Sequence, residues 1–262
     1  VKFFKFEKLK EEINKKIDLI VIAVVSKGIE WASNEISKVL KNNVPILILT
    51  KGLAINNNNY EVLAHKMERL LKKNGVKETN ISAAGGPCLA KNLANKAHTA
   101  VVFANNDIKI AEKISKLVST DYYHVSTTDD VVGVEACAAI KNIFSMAVGA
   151  SQGLCDAKQS KEKNYLNTAA ALMQESIYEM ITFVEKLKGK KETVIGLAGI
   201  GDLYVSADGG RNSKMGEHLG QGMTFQEAKK TKMPNITVEG ADLALEIGPK
   251  IKKDFDNKTL PL

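Results

Sequence analysis

From residue 1 to about 128, apolar positions fall into short unbroken runs separated by helical periodicities. Residues 19–25, Leu-Ile-Val-Ile-Ala-Val-Val, form a continuous apolar run of the kind found in strands buried on both faces. Ile29, Ile36, Val39 and Leu40 then recur at helical spacing. A second buried strand is predicted over residues 45–50 and a helix over about 60–73, with the asparagine run at 56–59 read as a loop. The alternation continues with strands at 81–84, 99–104 and 122–126 and a helix near 107–117. Strand–helix alternation of this kind predicts an α/β domain on a mostly parallel sheet.

Beyond residue 128 the strand pattern stops. Residues 131–150 are mostly apolar and free of proline, which predicts one long helix, and a second is predicted over about 164–187. The glycine-rich stretch 196–210 reads as flexible. Shorter helices are predicted near 212–219, 224–230 and 238–247. The division therefore falls near residue 128, with an α/β unit over 1–128 and an all-helical unit over 129–262.

A doubly wound sheet that binds a dinucleotide needs a glycine-rich turn after its first strand, so that the pyrophosphate can approach a helix N-terminus. No GxGxxG stands in such a setting; Gly199-Ile-Gly201 and Gly220-Gln-Gly222 lack the third glycine. The chain also opens on Val1. Two readings follow, a protein without a nucleotide site or an incomplete Rossmann-type sheet whose first strand–helix–strand unit is missing.

Composition narrows the class. The 262 residues are 44% hydrophobic and 26% charged, with a formal net charge of +7. All but two of the 37 basic residues are lysines, the exceptions being Arg69 and Arg211. They are scattered among glutamates without interleaved aromatics, so an anionic small molecule accounts for the sign better than nucleic acid. The run at 19–25 is too short to span a bilayer, and no signal peptide is evident, so no membrane role is expected. Cys88, Cys137 and Cys155 form no CxxC pair, which fits a reducing, cytoplasmic setting.

Lys141 is the strongest chemical signal. It is the only charged residue between Glu135 and Asp156, and it shares a helix face with Cys137, Phe144 and Val148. A lysine buried there has a lowered pKa and can carry a proton, with Asn142 beside it; the alternative is a side chain snorkelling from the helix edge. Arg211, in Asp-Gly-Gly-Arg-Asn before a predicted helix, suits a phosphate or carboxylate, or else a surface turn. Asp202 follows the small-residue stretch 196–201 and either pairs with a buried lysine or serves as a cap. Lys51 stands past the carboxyl end of a predicted strand, where open α/β sheets bind ligands. Gly85-Gly-Pro-Cys88 occupies the same place after the next strand. His65, His98, His124 and His218 show no metal or triad spacing and read as structural or surface residues.

Taken in order, Thr50-Lys-Gly-Leu53, Gly86-Pro-Cys-Leu-Ala-Lys91, Thr99-Ala-Val-Val102, Asp130-Val-Val-Gly-Val-Glu135, Ala139-Ile-Lys-Asn142, Gly196-Leu-Ala-Gly-Ile-Gly-Asp-Leu203, Gly210-Arg-Asn212, Leu219-Gly-Gln-Gly222 and Val238-Glu-Gly240 resemble the NAD(P)-dependent glycerol-3-phosphate dehydrogenases. The resemblance implies a partial Rossmann domain over 1–128 and a helical substrate-binding and catalytic domain over 129–262. It implies interconversion of sn-glycerol 3-phosphate and dihydroxyacetone phosphate with NAD or NADP, supplying a glycerophospholipid precursor. It also implies a small phosphorylated three-carbon substrate and a homodimer. By the same resemblance Lys141 is the proton acceptor, Asp202 holds it, Asn142 supports the site, and Lys51 contacts substrate and cofactor. Gly86, Cys88, Gly210, Arg211 and Asn212 fall at substrate positions. Ala90, Val238 and Glu239, with Lys51 and Arg211, fall at cofactor positions. Cys88 stands where the family carries threonine or serine, and Gly210 where many members carry serine. Without the glycine-rich turn, residues 1–262 are expected to bind a dinucleotide poorly. The other readings are a related two-domain dehydrogenase for a different hydroxy acid or sugar phosphate, and a non-catalytic chain that retains only the fold.

Overall fold

The computed structural model describes residues 2–13, 17–40, 44–157, 165–256 and 258–262. The first half is a five-stranded sheet in the order β1-β2-β5-β6-β7, formed by β1 (Ile20–Ile22), β2 (Ile46–Ile48), β5 (Ile81–Gly85), β6 (Thr99–Ala104) and β7 (Tyr123–Thr128). Ile46 and Ile48 on β2 are 0% and 1% exposed, as a strand covered on both faces requires. Three of the helices of this half are α2 (Ile29–Ser37), α3 (Leu63–Lys73) and α5 (Ile108–Val118). Short α1 (Leu9–Ile13) and α4 (Ala90–Ala94) complete it.

β1, β2 and β5 pair in parallel, but β5 and β6 are antiparallel, in the register Ala83↔Ala104, Ala84↔Phe103 and Gly85↔Val102; β6 and β7 are again parallel. The carboxyl ends of β1, β2 and β5 therefore share one edge of the sheet, and those of β6 and β7 point the opposite way. The expectation of a mostly parallel sheet holds for all pairings but this one. Apolar patterning fixes which faces are buried and carries no information about strand direction.

Two further differences are physical. The segment expected to open a helix at residue 60 instead closes a hairpin, β3 (Leu53–Asn56) with β4 (Asn59–Val62), and the helix begins at Leu63. Asn57 and Asn58 turn the hairpin at φ 49° and 60°, a conformation that asparagine tolerates and two-residue hairpin turns demand. Tyr60 is held in the strand by edge-to-face packing on Phe183 at 5.1 Å. The stretch 196–210 is not a loop either. The short α8 (Lys191–Val194) leads into it, and it contains a π-helical turn over Leu197–Gly201 and α9 (Asp202–Ala207).

The helical half is organised on α6 (Val131–Ala157), with α7 (Leu166–Lys186), α10 (Arg211–Gly220), α11 (Phe225–Thr231) and α12 (Glu239–Asp254) around or beyond it. Residue 164, where the second long helix was expected to begin, lies outside the described residues. By length and mean hydropathy (1.6) α6 could cross a membrane over Val131–Cys155, but 78% of its most apolar stretch is buried inside the fold, which makes it a core helix. One apolar cluster joins the halves. Ile22, Ile48 and Ala83 from the sheet pack with Val134, Cys137, Ile140 and Phe144 from α6. Asp130 caps α6, its Oδ1 accepting from Gly133 N at 2.8 Å. Its Oδ2 accepts from Lys190 N at 2.9 Å and Thr193 Oγ1 at 2.6 Å, tying down the approach to α8.

α6 and α10 touch backbone to backbone. Gly149 and Gly153 on α6 and Gly216 and Gly220 on α10 line the crossing, and a methyl group at any of them would strike the facing main chain. That closeness carries the start of α10 to the middle of α6.

Candidate active site

A cleft of about 950 Å³ opens where the carboxyl ends of β1 and β2 meet α6, α9 and the starts of α10 and α12. Its walls include Ala23 to Lys27, Leu49 to Leu53, Cys88, Lys141, Asn142, Asp202 and Arg211. That volume is in the range of small-molecule and cofactor sites.

Lys141 lies at the base, on the face of α6 shared with Cys137, Phe144 and Val148, and is only 4% exposed. Its Nζ donates to Asp202 Oδ1 at 2.5 Å and to Ser206 Oγ at 2.5 Å. Lys51, on the segment leaving β2, donates to the other oxygen, Oδ2, at 2.7 Å. Two amines thus share one buried carboxylate. Desolvation pushes the Lys141 pKa down to about 8; the Lys51 ammonium adds to the lowering, and Asp202 opposes it. Asp202 and Ser206 reach the same amine because they are four residues apart on one face of α9. Ser206 was missed from sequence. Its spacing from Asp202 is the available signal, but it becomes visible only once the glycine-rich stretch is known to be helical.

Arg211 is the first residue of α10 and points into the mouth, where its Nη2 donates to Glu239 Oε1 at 2.6 Å; both side chains stay accessible. The α10 N-terminus and a guanidinium thus lie at one place, and both are groups that can take an anion. Asn212 is buried and accepts from Gly240 N at 2.8 Å through Oδ1. Gly240 is required there. A Cβ would fall 2.7 Å from the Asn142 carbonyl carbon and 2.9 Å from Asn212 Oδ1, so only glycine lets α12 start against α6. This contact sets Glu239 beside Arg211.

The sequence-derived candidates separate into two groups. Lys51, Cys88, Lys141, Asn142, Asp202, Gly210, Arg211, Asn212 and Glu239 line the cleft together. Gly86, Ala90 and Val238 do not. Gly86 is buried with φ 112° against Val101, Ala90 is exposed at the start of α4, and Val238 packs with Met215, Ala228 and Met233. Of the histidines, His98 and His124 stack on each other at the surface, 5.5 Å between centroids, and do not line the cleft. Among the described residues, no cluster of three or more His, Cys, Asp or Glu is arranged for a metal.

A desolvated lysine paired with a buried carboxylate, at the junction of the carboxyl ends of β1 and β2 with a helical half, belongs to a small-molecule enzyme of α/β plan. Residues 5–111 match the family model for the NAD-dependent glycerol-3-phosphate dehydrogenase N-terminus, and residues 130–262 match that for its C-terminus. The chain belongs to this family. It is 30% identical over 249 residues to the NADP(+)-dependent glycerol-3-phosphate dehydrogenase of Archaeoglobus fulgidus, covering 93% of this chain and 72% of that protein. It is 34% identical over 214 residues to the glycerol-3-phosphate dehydrogenase [NAD(P)+] of Clostridium tetani, covering 81% of this chain and 57% of that one. The crystal structure of glycerol-3-phosphate dehydrogenase from Coxiella burnetii superposes with a TM-score of 0.75 at 26% identity, over 90% of this chain and 68% of that one.

Proposed function

We propose that this chain performs the reaction of its family, interconverting sn-glycerol 3-phosphate and dihydroxyacetone phosphate with NAD or NADP, and that the cleft is where it does so. The observation that carries the reading is the pair of amines on one buried carboxylate, Lys141 and Lys51 on Asp202.

In the oxidative direction Lys141 accepts the proton of the C2 hydroxyl, and in the reductive direction it returns it. With its pKa near 8, a useful fraction of the amine is neutral close to neutral pH, while the conjugate acid remains a competent donor. Asp202 holds Lys141 in place and, through its second oxygen, sets Lys51 beside the reacting oxygen, where an ammonium stabilises developing alkoxide charge. Ser206 fixes the remaining direction of the Lys141 amine. The substrate phosphate lies toward Arg211, Asn212 and the α10 N-terminus, which orients the three-carbon chain from its far end.

The residues fit the nicotinamide end of a dinucleotide. The wall formed by Ala23, Val24 and Val25 at the carboxyl end of β1 is apolar, and Lys51 and Arg211 offer cationic contacts on either side. When bound, that group supplies the hydride acceptor or donor. Residues 1–128 serve as the cofactor-facing half and 129–262 as the substrate and catalytic half. The three unbridged cysteines favour a cytoplasmic location, and the family resemblance favours a homodimer formed through the helical half.

Lys141→Met tests the mechanism. Methionine fills a similar volume, so the fold is kept while turnover falls by more than a hundredfold in both directions. Turnover within about tenfold of the parent protein would make Lys141 structural and overturn the reading.

A further inference from the structure

Helix α3 begins without a cap of its own. Val62 precedes it in an extended conformation and contributes no side-chain acceptor, although the first turn of any helix presents unpaired N–H groups. The acceptor comes from across the core. Glu135 Oε2, on α6, takes the Ala64 N–H at 2.8 Å. Glu135 is 4% exposed and does not line the cleft. Burial pushes its carboxyl up to about 8, with the Ala64 hydrogen bond offsetting part of the rise. A carboxyl held at that cost outside the cleft calls for a structural purpose.

Its placement supplies one. Leu53 and Val62 are the closing pair of the β3–β4 hairpin. Lys51 lies just before that pair and Ala64 just after it, so both belong to the hairpin base. The base is tight. A Cβ on Gly52 would come 3.3 Å from Leu63 Cδ1 and 3.0 Å from Ser26 Cβ. Glu135 precedes Lys141 on α6 by roughly 9 Å of helix rise. One hydrogen bond therefore pins the base that carries Lys51 to the helix that carries Lys141.

We propose that Glu135 is a positioning residue, which by capping α3 fixes the hairpin base on α6 and so keeps the Lys51 amine on Asp202. The inference deepens the functional reading and rests on it, since Lys51 matters through the shared carboxylate. The Lys51 ammonium lowers the proton affinity of Lys141, so a Lys51 that has drifted away lets that affinity rise.

The test reads both amines without turnover, by pH-dependent reductive methylation of the full chain followed by mass spectrometry of the Lys51 and Lys141 peptides. In Glu135→Ala, Lys51 is methylated several-fold faster and the Lys141 midpoint moves up. Glu135→Gln, which keeps the acceptor and the volume, behaves like the parent protein. Lys51→Ala produces the same upward shift at Lys141, and the double variant shifts no further, because both changes act through one contact. Ala64→Pro removes the donor from the other side at the second residue of α3, where no intrahelical hydrogen bond is lost; it strains Leu63 and the core around it, so it serves as the second variant where it folds, and there it repeats the Glu135→Ala result. Unchanged Lys51 rates in folded Glu135→Ala or Ala64→Pro, with only a lower melting temperature, overturn the proposal. Failure of the underlying reading looks different: Lys141 would titrate at an ordinary lysine value in the parent protein itself.

Discussion

Replacing Gly216 by alanine places one methyl group at the closest approach of α6 and α10. Its carbon would press into the Met146 carbonyl oxygen, 2.8 Å from the Met146 carbonyl carbon and 2.9 Å from Ala150 N. All three are main-chain atoms of a helix, so no rotamer change relieves the clash. The two helices must part by on the order of 1 Å to restore van der Waals distances. Overpacking of this kind costs about 3 kcal/mol where the surroundings are rigid. Alanine recovers about 1 kcal/mol through helix propensity, leaving a net loss of about 2 kcal/mol. For a chain of this length that lowers the melting temperature by about 4–8 °C. Because α10 begins with Arg211 and Asn212, the same displacement moves the anion site away from Lys141, and kcat/KM falls with stability. Gly248→Ala is the matched control. Gly248 lies inside α12 with no atom of another element within 4 Å of the added carbon; Pro249, which follows it, disfavours a Cβ in the helical conformation and opposes the gain in propensity, so stability changes by less than about 1 kcal/mol. Urea unfolding of both variants decides the matter. If Gly216→Ala unfolds at the parent midpoint, or if both variants shift alike, the close crossing is not what holds α10 in place.

Asp130→Ala removes the α6 cap and orphans Gly133 N, Lys190 N and Thr193 Oγ1 together; a loss of about 3 kcal/mol is expected in the same urea assay. Arg211→Ala should raise the Michaelis constant for dihydroxyacetone phosphate at least tenfold with a smaller change in kcat, and no change would favour a substrate without phosphate. For oxidation, kcat/KM should climb with pH and level off above about 8, as Lys141 loses its proton. The same group affects folding. Its folded pKa lies below the ordinary lysine value of 10.5, so between about 8 and 10.5 the unfolded chain holds a proton that the folded chain lacks. Stability from this group therefore increases as pH rises through that window, and the melting-temperature gap between the parent protein and Lys141→Met should move in the parent's favour from pH 8 to 10.

Much of this arrangement is legible in the residues because burial leaves a periodic trace. Lys141 stands out as a charge on an apolar helix face, and the sheet strands as unbroken aliphatic runs. What escapes the sequence is geometry that periodicity does not encode. The reversal between β5 and β6 changes no apolar position. The β3–β4 hairpin depends on two left-handed asparagines and on Phe183, far along the chain, holding Tyr60 in a strand. Glycines hide α9, since residues that read as flexible are there to admit a π turn, and Ser206 is hidden with it. Gly149, Gly153, Gly216 and Gly220 read as helix weaknesses until the facing backbone is in place.

A lone acid serving two bases leaves the floor of the cleft short of negative charge, and an entering phosphate ester brings what is lacking. Its arrival draws a hydron toward the deeper base, so that base is more often neutral in an empty pocket and more often charged in a filled one. Occupancy and acidity are thereby yoked: loading the pocket should take up hydrons from the medium, and emptying it should give them back.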